Sequence, residues 1–131
     1  MQHYVVSIGS NCGDRKESVA KAIDWLSGLL DEFKASQIYE TPPVGHQGSD
    51  YMNAVVTGVS DMTPSLLERE LKRYEVECGR DLYARIRNLV PIDLDIVIAD
   101  GNVVRPEDYK RGFFQIGYHQ LHLADMETDK R

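Results

Sequence analysis

Two aspartates stand one residue apart in PIDLDIVI, residues 91–98. Side chains alternate along a strand, so Asp93 and Asp95 share one face while Ile92, Leu94, Ile96 and Ile98 share the other. The apolar row belongs to a core, which sets the two carboxylates side by side on the opposite surface, their Cα atoms roughly 6.6 Å apart. Aspartate is disfavoured in strands, and like charges at that spacing repel. A hard divalent cation relieves both costs, and magnesium takes one or two protein carboxylates together with phosphate oxygens and water. A solvated acidic strand face would show the same pattern. Arg80, Arg85 and Arg87 precede this strand, and Arg105, Lys110 and Arg111 follow it. Guanidinium forks suit phosphate oxygens. Acidic pair and basic flanks together match phosphoryl transfer, where positioning and charge neutralisation dominate. Any one of these arginines alone also fits an ordinary charged surface. Glu75, four residues after Leu71, lies beside an apolar helical stripe, either at its edge or as a site residue facing the sheet.

A second constellation lies in YETPPVGHQGSDYMN, residues 39–53. Pro42 and Pro43 stiffen the segment, and Gly45 and Gly48 permit tight turns. Tyr51 and Asn53 alternate with Met52, so both face one side of a strand. A flat ring beside a rigid amide suits a planar heterocycle with an amide-like edge. Phe113, in RGFF, is a candidate second stacking plane. The same residues also fit a plainer role, with Tyr51 and Phe113 as core aromatics and Asn53 as a strand-end cap. His46 is an exposed loop residue or a residue at the mouth of such a slot.

These residues need elements to hold them. HYVVSIG (3–9) reads as a first strand. Asp14 with Glu17 forms a capping box, and Val19, Ile23, Leu26 and Leu30 recur at helical spacing to about residue 31. Residues 33–40 and 51–60 read as strands around the Pro- and Gly-rich loop. Thr63-Pro64 opens a second helix lined by Leu67, Leu71, Tyr74 and Cys78, and Gly79 ends it. An arginine-bearing loop, residues 80–90, leads to the fourth strand at 92–99. A DGN turn then implies a hairpin with Val103-Val104. A short apolar helix follows from 111. The order β-α-β-β-α-β predicts an α+β, ferredoxin-like antiparallel sheet with both helices on one face, plus a short C-terminal hairpin and helix.

With 131 residues, 42% hydrophobic and 27% charged, the chain is long enough for one cored domain, residues 1–131. The tail after about 124 is expected to be disordered. A formal charge of −6 argues against a nucleic-acid surface or a polybasic membrane patch. There is no span-length apolar run, and the opening MQHYVVSIGS has no leader character. Cys12 and Cys78 have no metal-ligand spacing. A cytoplasmic protein, monomeric or weakly self-associating, is expected.

The chain resembles the 6-hydroxymethyl-7,8-dihydropterin pyrophosphokinases. The resemblance rests on IGSN (8–11), Y-x-TPPVG-x-QG with DYMNAVV (39–56), E-x-x-x-GR (75–80), IDLDI (92–96) and RGFF (111–114), in the family's order. It implies transfer of pyrophosphate from ATP to the hydroxymethyl group of the dihydropterin, leaving AMP. It implies magnesium, here two ions, on Asp93 and Asp95. It implies a pterin slot bracketed by Tyr51 and Phe113, with Asn53 and the backbone around Thr41, Pro42 and Val44 reading the polar edge. Arg80 and Arg111 match positions near the phosphates and join the two aspartates as catalytic residues. Arg85, Arg87 and Ile96 complete the nucleotide side. Three departures fall in the ATP half. Val90 stands where the family usually has an arginine, RIRNLVP replaces a loop bearing tryptophan and Gly-Pro, and the Pro-His segment before RGF is missing. An alternative is therefore a pterin-binding relative with lost or altered transfer.

Overall fold

A computed structural model describes residues 1–46 and 48–129, with the side chains of 46 and 123–129 outside the description. Strand β1 (Gln2–Ser10) is the centre of an antiparallel sheet ordered β2-β4-β1-β5-β6. Its residues Tyr4–Ser10 are buried on both faces, as a continuous apolar run requires. The flanking strands are β4 (Tyr51–Ser60) and β5 (Asp93–Ala99). Beyond them lie β2 (Asp31–Ala35), and the two-residue β6 (Asn102–Val103). Strand β3 (Tyr39–Thr41) also pairs with β4.

The expected second strand is thus two short ones. Ser36 interrupts it: its N–H donates to the Val55 carbonyl at 2.8 Å, and its hydroxyl accepts from Val55 N at 2.9 Å. A side chain has taken the place of a backbone acceptor, and the ladder breaks there.

Helix α1 (Arg15–Leu29) begins at Asp14, whose carboxylate accepts from Glu17 N at 3.2 Å. Helix α2 (Pro64–Glu77) begins at Thr63, whose hydroxyl accepts from Leu66 N at 3.3 Å. Gly79 follows its end with φ 99°, a conformation that favours glycine. Both helices cover one face of the sheet, where Tyr4, Val6, Ile8, Leu26, Leu67, Leu71, Leu94 and Ile96 are buried together. This is the ferredoxin-like arrangement. Trp25 stacks on Tyr74 beside that core, with centroids 4.3 Å apart.

Several expectations change. Cys78 is exposed rather than part of the apolar stripe. The stripe runs Leu67, Leu71, Glu75, because four-residue spacing carries it to the glutamate. The arginine loop contains one helix, α3 (Leu82–Ile86), capped by Asp81, which accepts from Ala84 N at 2.9 Å. The C-terminal helix is two: α4 (Pro106–Lys110) and α5 (Gly112–Asp129).

Helix α5 packs on the second face of the sheet, against Val5, Val55, Val97 and Ile98 through Phe114 and Leu121. Gly117 allows the close approach, since a Cβ there would meet Val55 Cγ2 at 2.7 Å. Ile98 was expected in the first core and lies in the second. A β-bulge is the reason: Val5 pairs with Ile98 but Val6 with Ile96, so β5 gains one residue and its alternation slips after Ile96. The expectation for the tail after about 124 falls on residues whose side chains lie outside the description. Among the described residues no helix is long and apolar enough to cross a membrane.

Candidate active site

Odd-numbered residues of β1 and β4, with Asp93 and Asp95 of β5, face the side that α5 only partly covers. The uncovered part is a cavity of about 300 Å³. The sheet contributes Ser7, Gly9, Tyr51, Asn53 and Asp93 to its wall. The loop after β3 contributes Thr41, Pro42, Pro43 and Val44, and the α4–α5 junction Glu107, Asp108, Arg111 and Phe113. Six residues of the expected slot (Thr41, Pro42, Val44, Tyr51, Asn53 and Phe113) therefore meet at one cavity. Gly9 gives Tyr51 its place, since a Cβ there would lie 3.3 Å from the Tyr51 ring.

Asn53 is buried and its amide is oriented by its neighbours. Its Nδ2 donates to Thr41 Oγ1 at 2.7 Å and to the Tyr51 carbonyl at 3.3 Å. Among the described residues no donor reaches its Oδ1, which remains a fixed acceptor at the cavity wall. Tyr39, beneath, ties the two sides together: its hydroxyl donates to the Phe113 carbonyl and accepts from Gly117 N at 3.0 Å. Burial pushes the Tyr39 phenol up to about 12.

The acidic pair points to one face, as the alternation requires. Asp95 is 8% exposed, while Asp93 is half-buried at the cavity wall. Burial first, then the Asp93 charge, pushes the Asp95 carboxyl above the ordinary aspartate range, and Lys72 pulls it partly back. Opposite Asp95 on β1 is Ser7, and opposite Asp93 is Gly9. These small residues leave room above the carboxylates.

A cationic network reaches the pair around the edge of β5. Strand β6 pairs only with Ile98 and Ala99, so Leu94 presents an open edge. Glu75 Oε2 accepts from Leu94 N at 2.7 Å, and Lys72 Nζ donates to the Leu94 carbonyl at 2.9 Å. Two helix side chains thus do what a neighbouring strand would do. Lys72 also donates to Asp95 Oδ1 at 3.0 Å and Glu75 Oε2 at 2.9 Å. Arg80 bridges Glu75 Oε1 at 2.9 Å and Asp93 Oδ1 at 2.6 Å. Burial opposes the Lys72 charge, but Asp95 and Glu75 outweigh it and raise its pKa. Arg105 Nη1 adds a contact to Asp95 Oδ1 at 3.7 Å.

Of the two readings of Glu75, the side chain is found facing the sheet rather than at the stripe edge, 4% exposed. Lys72 escaped the sequence reading, although its i, i+3 spacing to Glu75 was a signal. Ser7, Gly9, Glu107 and Asp108 were also missed. The small pair at period two in β1 was visible, whereas Glu107 and Asp108 carried no pattern. Arg111 lines the cavity and pairs with no carboxylate among the described residues. Arg85 and Arg87 are exposed on α3 and its end, away from the cavity wall, and the Arg87 guanidinium lies 5.4 Å from the Tyr83 ring centre. Ile96 faces the first core, on the side away from the carboxylates. The His46 side chain lies outside the description.

No group of three or more His, Cys, Asp or Glu suited to a metal occurs among the described residues. Two hard carboxylates without a closed protein cage are the donor set that fits magnesium, which takes its remaining ligands from phosphate and water.

An acidic pair braced by lysine and arginine thus stands on a ferredoxin-like sheet next to a cavity lined by Tyr51, Phe113 and the Asn53 amide. Residues 5–123 match the family model described as 7,8-dihydro-6-hydroxymethylpterin-pyrophosphokinase (HPPK). A 2-amino-4-hydroxy-6-hydroxymethyldihydropteridine pyrophosphokinase of Aquifex aeolicus is 31% identical over 107 residues, 80% of this chain and 66% of that protein. One of Porphyromonas gingivalis is 32% identical over 102 residues, 71% of this chain and 66% of that protein. A folate synthesis bifunctional protein of Arabidopsis thaliana is 31% identical over 98 residues, 73% of this chain and 20% of that protein. The chain spans just under two thirds of the first two relatives and a fifth of the third. The chain belongs to the 7,8-dihydro-6-hydroxymethylpterin-pyrophosphokinase family.

Proposed function

We propose that this protein transfers pyrophosphate from ATP to the hydroxymethyl group of 6-hydroxymethyl-7,8-dihydropterin, a step of folate biosynthesis. The carrying observation is adjacency: the cavity lined by Tyr51, Asn53 and Phe113 shares its wall with Asp93 and with Arg111, which pairs with no carboxylate among the described residues. A pterin ring held between Tyr51 and Phe113 presents its amide-like edge to Asn53 and to the backbone at Thr41, Pro42 and Val44. The hydroxymethyl oxygen then bonds to the β-phosphorus of ATP as the bridge to the α-phosphate breaks, and AMP leaves. Asp93 and Asp95 would hold magnesium, one or two ions, which when bound supplies positive charge against the phosphates. Arg111 faces the transferring group, and Arg80 keeps Asp93 in place while sharing its charge with the phosphates. Arg85, Arg87 and the backbone at Ile96 belong to the nucleotide side of this reading. A cytoplasmic location, small-molecule partners only, and a monomer or weak homo-oligomer go with it.

A second reading, pterin binding with lost or altered transfer, is favoured by Val90 in place of the family's arginine. One experiment separates them. The purified protein is incubated with ATP, magnesium and hydroxymethyl-dihydropterin, and AMP is measured. AMP is expected, falling roughly 100-fold or more in Asp95→Ala. Pterin binding by calorimetry without AMP supports the second reading, and turnover that survives Asp95→Ala refutes the metal assignment.

A further inference from the structure

The ammonium of Lys72 has three protons, and each has an acceptor: Asp95 Oδ1 at 3.0 Å, Glu75 Oε2 at 2.9 Å and the Leu94 carbonyl at 2.9 Å. These bonds fix the cation in place from three directions. Glu68 approaches it at 3.9 Å from the rim, and Arg105, held to Asp108 at 2.7 Å, approaches the same Asp95 oxygen at 3.7 Å. Asp95 Oδ1 thus already has a cation within hydrogen-bond distance before any ligand arrives. A divalent ion binding that oxygen meets a like charge about one ligand diameter away. A bare ion has only the two carboxylates to offset this repulsion, whereas one arriving on a polyphosphate brings several further negative oxygens with it.

We propose that Lys72 is the resident cation at Asp95, beside Arg80 at Asp93: it occupies Asp95 in the unliganded protein, holds free magnesium off that oxygen, and restricts the metal to entry already bound to nucleotide phosphate. This rests on the functional reading above and adds an order of events to it. Lys72 is a positioning residue here, acting through Asp95 rather than on the reacting atoms.

Manganese, which accepts the same oxygen ligands, is the probe, titrated alone into the intact protein and followed by electron paramagnetic resonance. Lys72→Gln removes the charge but keeps hydrogen-bond donors. It is expected to bind free manganese roughly tenfold or more tightly than the wild type, as loss of one close positive charge predicts. Binding of manganese with a non-hydrolysable ATP analogue is expected to change less. Adding Asp95→Asn to Lys72→Gln is expected to abolish the gain. Structural damage would weaken binding, so a gain is specific to removal of the charge. Equal or weaker manganese binding by Lys72→Gln, no binding by either protein, or a gain that survives Asp95→Asn would overturn the proposal. The titration uses no pterin and no turnover, so its failure is distinct from a failure to form AMP.

Discussion

Tyr39 of β3 and Phe113 of α5 are joined through one hydroxyl, which donates to the Phe113 carbonyl while accepting from Gly117 N. The aromatic wall of the slot is thereby fastened to the sheet by a residue that does not line the cavity. Replacing Tyr39 by Phe removes the hydroxyl that bonds both groups in a partly buried place and leaves them to each other as i, i+4 partners in α5. The expected cost is about 1 kcal/mol in urea unfolding, with a several-fold higher KM for the pterin substrate. Unchanged stability and unchanged KM together would show that the tie does not position Phe113.

The same hydroxyl sets a pH dependence. Its folded-state pKa of about 12 lies above the ordinary 10 for tyrosine. The unfolded chain therefore releases this proton first, and the group's contribution is whole below pH 10 and lost between 10 and 12. The stability gap between wild type and Tyr39→Phe is expected to narrow from pH 9 to pH 11.5 in denaturant titrations. A constant gap would contradict this.

Glu75 holds Leu94 N, Lys72 and Arg80 at once. Ala in its place strands a backbone N–H and removes a shared counter-charge from two cations. A loss of about 3–5 kcal/mol is expected by chemical denaturation, as for breaking a buried ion pair. Gln, which keeps an acceptor for Leu94, is expected to lose less. Equal losses for Ala and Gln would mean that burial volume, not bonding, explains the residue.

Val90 is seated through its backbone, accepting from Asn11 N at 2.9 Å and donating to Asn11 Oδ1 at 2.6 Å. Its half-buried side chain takes part in neither bond. Val90→Arg adds a cation three residues before Asp93 and is expected to raise AMP formation by roughly tenfold or more. An unaltered rate would place the limit on turnover elsewhere than in the missing charge.

The sequence carried the antiparallel α+β fold, both helix caps and the residues that meet at the cavity, because alternation, caps and prolines are local signals. Asn53 was legible since Tyr51, Asn53 and Val55 step along one face. What escaped depended on long-range geometry. Lys72 and Glu75 matter because β6 stops short of Leu94, which no local pattern announces. Cys78 seemed interior because it extends a stripe that ends one turn earlier. Arg85 and Arg87, assigned to the nucleotide side from their place in the chain, are exposed on α3 and at its end, away from the cavity wall. Ile98 changed faces through a bulge that its own apolar neighbours conceal.

That extra residue has a mechanical consequence. The Val97 carbonyl accepts from Val104 N at 2.9 Å and from Arg105 N at 3.4 Å, so the irregular step in β5 is also the anchor for the segment that aims Arg105 at Asp95. Beyond it, Ile98 seats α5. One misplaced beat in a single strand couples docking of the C-terminal helix to the charge presented at the carboxylates, so straightening that strand would shift Arg105 and the seat of the helix together.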